Sequence, residues 1–224
     1  MARHRVRDTT WGIIDFDDQT GAVFVQQRWL YLWKLWPGVT TAWALREKQQ
    51  FHSTVDKQIW GAWSNKIRLS VAGTAPVAKR LTGRQMTMNF DVAWTLAAPN
   101  HWTVTAWKMP AGARPTSPHR SFVDTVNKTI ELNTADLAPR GAGNQAGAST
   151  NKFRTAPHEF GHAITSGSLT ANPDEYVNTS GHVTDTSSIM NIGRDIRKRH
   201  VAAVLAELDR LIPNLKFTVA APLL

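Results

Sequence analysis

The chain contains no cysteine, so disulfides and thiolate metal sites are excluded, and any metal must be held by His, Asp or Glu. No run of 18 or more apolar residues occurs, which excludes a membrane-spanning helix. The most apolar stretch, Trp29 to Trp36, is short and ends at Pro37-Gly38. The basic first residues, Met1 to Asp8, lack the apolar core of a signal peptide, because Asp8, Asp15, Asp17 and Asp18 follow, so entry into the general secretory route is not expected. Gly141, Gly143 and Gly147 do not make the dinucleotide-binding spacing, and no lysine-serine pair follows them. A serine-nucleophile elbow and internal repeats are also lacking.

What is present is basic. The formal charge is +9 over 224 residues. Two short clusters, Arg3/Arg5/Arg7 and Arg194/Arg197/Lys198/Arg199, carry part of it without interleaved aromatics, so the charge is expected to serve solubility rather than nucleic-acid binding. A 42% hydrophobic content suffices for one sizeable core. The chain divides into a tryptophan-rich extension, 1–38, and a single catalytic domain, 39–224. Within the extension, residues 9–27 read as a hairpin, and the Trp29–Trp36 rings as a packing layer.

Ala44, Phe51, Val55, Ile59 and Trp63 recur at steps of four or seven, which predicts an amphipathic helix within residues 39–63. Strand character follows at Lys66–Val71, Gln85–Leu96 and Trp102–Lys108. Thr125 to Asn133 alternates as a half-exposed strand, expected at a sheet edge, along which an extended substrate could add a strand. Residues 138–151 read as a small-residue loop, and a helix is expected from Asn151 to Thr165. Pro157 requires that helix either to begin at Thr155-Ala156, where proline is tolerated, or to kink. A last amphipathic helix is expected over Arg194–Pro213, with Val201, Val204, Leu205, Leu208 and Leu211 on its apolar stripe. The class is α+β.

The chemistry concentrates at His158-Glu159-Phe160-Gly161-His162. Histidines four apart share one helix face, so both imidazoles can reach one ion. Glu159, beside the first histidine, can take the proton of a water activated by that ion. A catalytic zinc site takes three protein ligands and leaves the fourth position open. The third ligand is open between Asp174, Glu175 and His182, with Asp185 and His200 more remote.

The run His158-Glu159-Phe160-Gly161-His162, then Pro173-Asp174-Glu175-Tyr176, then Ser187-Ser188-Ile189-Met190-Asn191, resembles the metzincin clan of zinc peptidases, most of all its bacterial, snapalysin-like branch. The resemblance implies a zincin fold, with a twisted mixed sheet packed on an N-terminal helix and an active-site helix, and a C-terminal helix. It implies Zn2+ as cofactor, Asp174 as third ligand, Met190 beneath the metal and Tyr176 near the reaction centre. The function it implies is a zinc endopeptidase, active as a monomer on a protein or peptide substrate and delivered as a toxin-like effector by a specialised export system. The spacing departs from that branch, since Asp174 lies twelve residues beyond His162. The alternative is a basic, Trp-rich module that binds an anionic partner, with a structural metal or none.

Overall fold

The computed structural model describes residues 3–113, 115, 120–139, 153–164, 173–178 and 180–220. The elements are β1 (His4–Asp8), β2 (Ile13–Asp17), β3 (Val23–Leu35), α1 (Leu45–Trp63), β4 (Ile67–Gly73), α2 (Pro76–Leu81), β5 (Met86–Thr95), β6 (Trp102–Lys108), β7 (Phe122–Asp124), β8 (Thr129–Asn133), α3 (Thr155–Ala163), α4 (Ala202–Leu211) and β9 (Leu215–Val219). Short 3-10 turns at Thr134–Leu137 and Lys198–Val201 precede α3 and α4. This is an α+β architecture with four helices and one mixed sheet ordered β7-β8-β6-β3-β5-β4-β9, to which β2 and β1 attach through β3.

The tryptophan-rich stretch is the spine of this sheet. Along one edge β3 runs parallel to β5, from Val23↔Met88 to Leu30↔Thr95. Along the other edge its first half pairs antiparallel with β2 and its second half parallel with β6. β1, β2 and β3, within the stretch expected as an extension, are therefore hydrogen-bonded into the sheet. The reason is in the period-2 pattern: Val23, Val25, Trp29 and Tyr31 face the core in alternation. The ring of Tyr31 stacks on Trp33 with centroids 4.7 Å apart, and both meet Phe51 edge-on.

α1 covers this face with Phe51, Val55, Ile59 and Trp63, all buried. It starts six residues later than the start of the expected range, where Glu47 Oε2 accepts the backbone N–H of Ala44 at 2.8 Å. It stops at Asn65, which takes a positive φ of 59°. The Ser64 hydroxyl then bridges to β5, donating to the carbonyl of Phe90 and accepting its N–H at 2.8 Å. α3 lies on α1, and Phe160 meets Trp63 and Phe90 with centroids 5.8 Å away in each case.

Two expectations are corrected. The strand expected over 125–133 spans only Thr129–Asn133, because Asp124 Oδ1 accepts the N–H groups of Val126 and Asn127 and closes a turn with Lys128 at positive φ. That strand is also not an edge, since β6 pairs with one side and β7 with the other. A substrate strand beside it at Thr129–Glu131 would have to displace β7. The closing helix begins at Ala202 rather than near Arg194, because the backbone of Arg194 and Asp195 is bonded to Ser187, and that of Ile189 to Asp195. The loop 138–151 lies almost wholly outside the described residues, as do residues 165–172. No described helix is long and apolar enough to cross a membrane.

Candidate metal centre

Everything at the site hangs on α3. It starts at Thr155, so Pro157 is the third helical residue, where a missing N–H removes no intrahelical bond. The helix is fixed at both ends by side chains from other elements. Trp63 Nε1 donates to the carbonyl of Pro157 at 2.9 Å, and Gln27 Nε2 donates to that of Ala163 at 3.1 Å. Gly161 faces the core. A Cβ there would lie 2.3 Å from the Met190 sulfur and 3.0 Å from the Trp63 ring, so the missing side chain is what lets Met190 pack against the motif helix. Met190 is fully buried.

His158 and His162 project from one face with ring centroids 4.9 Å apart. Asp174, from the segment after α3, completes the group. Its Oδ1 lies 3.0 Å from His158 Nε2 and 3.2 Å from His162 Nε2, and the two Nε2 atoms are 3.2 Å apart. The other ring nitrogen of His158 is spoken for: Nδ1–H donates to the carbonyl of Ile189 at 2.8 Å. That bond puts a proton on Nδ1 and turns Nε2 toward Asp174, where the contact is either a hydrogen bond donated by Nε2–H or, with Nε2 unprotonated, a pair of acceptors that a bound cation would hold together. Donors bound tetrahedrally at the usual zinc distances stand about 3.3 Å apart, which matches this triangle. The group of His158, His162 and Asp174 could hold a metal ion, and its N, N, O donor set suits zinc.

The electrostatics around the group are uneven. Burial alone would raise the Asp174 carboxyl, but the hydrogen bonds to His158 and His162 outweigh it and hold that carboxyl far below the usual carboxylate range. Glu159 points away from solvent with only 6% of its surface exposed. Burial pushes its carboxyl above the usual range, against the opposing pull of the two histidines. The Tyr176 ring lies parallel to His158 at 6.1 Å. Burial, and then the hydrogen bond and charge of Asp174, raise its hydroxyl well above the ordinary tyrosine value.

The remaining candidate ligands do not join this group. Glu175 turns the other way and accepts two hydrogen bonds from Arg199, at 2.7 and 2.8 Å, and one from His200 Nε2 at 3.1 Å. His200 Nδ1 accepts the N–H of Arg197, which leaves its proton on Nε2. Burial, partly offset by Glu175, depresses the His200 ring to about 4. Asp185 is held by Arg197 and Arg199 at 2.7 to 2.8 Å. His182 is exposed.

This second network was not foreseen as a unit. In the sequence Arg197 and Arg199 read as surface charge, and Glu175, Asp185 and His200 as spare ligands. Here they hold the segment 173–178 against the methionine turn, helped by the Glu175 N–H donating to the carbonyl of Met190 at 2.8 Å. The only signal for it in the sequence is an excess of acids and histidines beyond what one ion needs. Set beside known protein families, curated proteins and solved structures, the chain matches none of them.

Proposed function

We propose that this chain is a zinc-dependent endopeptidase with a metzincin-like arrangement. The observation that carries the reading is the convergence of two imidazole nitrogens and one carboxylate oxygen, His158 Nε2 being turned to that point by the hydrogen bond from Nδ1–H to the carbonyl of Ile189. Three protein donors leave room for water and substrate, the pattern of a catalytic rather than a closed structural site. Zinc held by His158, His162 and Asp174 would supply Lewis acidity, acidifying water and polarising a peptide carbonyl.

The chain's own residues do the rest. Glu159 Oε accepts a proton from the attacking water and later delivers it to the leaving amine. Its raised affinity for protons, caused by burial, suits both halves of that transfer. Ile189, through its carbonyl, keeps the His158 ring in the ligating tautomer. Tyr176, beside His158, donates a hydrogen bond from its hydroxyl to the oxyanion that forms on the substrate carbonyl. Its hydroxyl stays protonated at any working pH, as that role demands. Glu175 is a positioning residue that sets its two neighbours, Asp174 and Tyr176.

The test is elemental analysis of the protein beside Asp174→Ala and Glu175→Gln variants, together with hydrolysis of a quenched-fluorescent protein substrate. About one zinc per chain is expected in the parent and in Glu175→Gln, with loss in Asp174→Ala. Chelation should abolish hydrolysis, and zinc should restore it. Absence of metal after zinc is supplied would overturn the reading.

A further inference from the structure

On the side of α3 away from the histidines, α1, α3 and the segment after Met190 enclose a cleft of about 1140 Å³. Six cations line it: Lys57, Lys66, Arg154, Arg194, Arg197 and Lys198. The single acid among its lining residues is Asp195, which lies 3.5 Å from Arg197. None of Lys57, Lys66, Arg154 and Lys198 forms an ion pair with a described residue. So much like charge on facing walls repels itself, and an anion between the walls would relieve it.

A second observation concerns Gln58, also in the lining. Its side chain is buried and its Nε2 donates to the carbonyl of Leu137 at 2.8 Å, but its Oε1 has no hydrogen-bond partner. A buried amide oxygen among cations calls for a donor from outside the chain.

We infer that this cleft binds a small organic polyphosphate, a hydroxylated scaffold carrying two or more phosphate groups. Arg197 is already engaged by Asp185 and Asp195, so the match is to Lys57, Lys66, Arg154 and Lys198: each phosphate brings a charge of about −2, and two of them balance these four cations within one compact molecule. A peptide would need about four carboxylates, spread along an extended chain. A scaffold hydroxyl donates to Gln58 Oε1, and Arg154 offers forked N–H donors to phosphate oxygens. The described lining residues include no aromatic ring, so they offer no platform on which nucleic-acid bases could stack. The cleft does not overlap the metal-ligand group, but Pro157 and Ile189 belong to both surroundings. The same two residues hold Trp63 and His158 through their carbonyls. Occupancy therefore bears on the back of the segment that orients His158.

Titration calorimetry on the full chain tests this, with myo-inositol hexakisphosphate and inorganic tripolyphosphate as probes, and vesicles carrying a bisphosphorylated inositol lipid to separate a free ligand from a headgroup. Both soluble probes should bind, more weakly as salt rises. A Lys57→Glu/Lys66→Glu variant should lose about tenfold or more for each. Gln58→Leu should weaken the inositol phosphate selectively, and retained tripolyphosphate binding would show that this variant is folded. Vesicle binding sensitive to Lys57→Glu/Lys66→Glu would assign the same phosphate chemistry to a lipid. No binding of any phosphate probe would overturn the inference, as would unchanged affinity in the charge-reversed variant. Tighter binding of oligodeoxythymidylate or a polyglutamate peptide would do the same. None of these readouts depends on bound zinc or on peptidase activity.

Discussion

Two clusters of the same residue types sit one residue apart in this chain and have opposite characters. Around Asp174, two imidazole nitrogens and a carboxylate oxygen converge on one point, and among the described residues no arginine or lysine forms an ion pair with Asp174. Around Glu175, each carboxylate is met by a guanidinium or an imidazole N–H, and Arg199 spans both Glu175 and Asp185. The second cluster is complete as a piece of protein, laced by arginines that cannot give up their protons, whereas the cationic partners of the first are histidines, which can exchange a proton for a metal ion. A histidine-carboxylate cluster without a guanidinium is thus a candidate for ligand chemistry, and one laced by arginines is architecture.

The sharpest way to break the comparison is at the centre of the open cluster. Glu159→Gln should lower turnover of a peptide substrate by ~10²–10⁴-fold. Zinc content and melting temperature should hold, because the amide fills the same space and Glu159 is not a ligand. Retained full activity would remove the assigned base.

In the closed cluster the effect should fall on stability instead. Arg199→Met leaves Glu175 buried with one donor partner fewer, and a loss of about 3 kcal/mol by urea denaturation is expected. A smaller effect should come from the contact that joins the two clusters. Gly161→Ala drives a Cβ into Met190, at a cost of about 1–3 kcal/mol. Combined with Met190→Val the two costs should not add, and a double-mutant cycle reads the coupling directly. Additive costs would place the strain elsewhere.

The mildest probe is acid, applied to protein stripped of metal by a chelator. His200 has its folded value depressed to about 4, below the 6.5 of a free imidazole, so between those limits the unfolded chain binds more protons. Its contribution is complete above pH 6.5 and is lost as pH falls toward 4. Glu175, held at about 2 against an ordinary 4.5, keeps its contribution above 4.5 and loses it below. Urea midpoints should fall first in the histidine window and then in the carboxylate window. His200→Asn should flatten the first and narrow the second, because it also removes the imidazole that bonds to Glu175.

Much of the scaffold was legible because its residues repeat at the period of their element. Phe51, Val55, Ile59 and Trp63 mark α1, and Val204 and Leu208 mark α4. Met86, Met88, Phe90 and Val92 alternate along β5. The start of α4 was not legible, because Arg194 and Asp195 satisfy their backbone groups against Ser187, far from any local pattern. The tryptophan-rich stretch looked detachable for a similar reason. A strand that pairs with three partners carries no mark of them in its own sequence.

The candidate site divides along the same line. By itself the sequence determined that His158 and His162 share a helix face with Glu159 between them, because 3.6 residues per turn dictates it. It also determined that any metal here must do without sulfur. Only the tertiary structure decided among Asp174, Glu175, His182, Asp185 and His200 as companions of that pair. The choice was made by partners distant in the chain: Arg199 and His200 claim Glu175, Arg197 claims Asp185, and the Ile189 carbonyl, by accepting from Nδ1–H, turns His158 Nε2 toward Asp174. Adjacent carboxylates look alike in a sequence. What separates them is the set of hydrogen-bond donors that the fold brings to each.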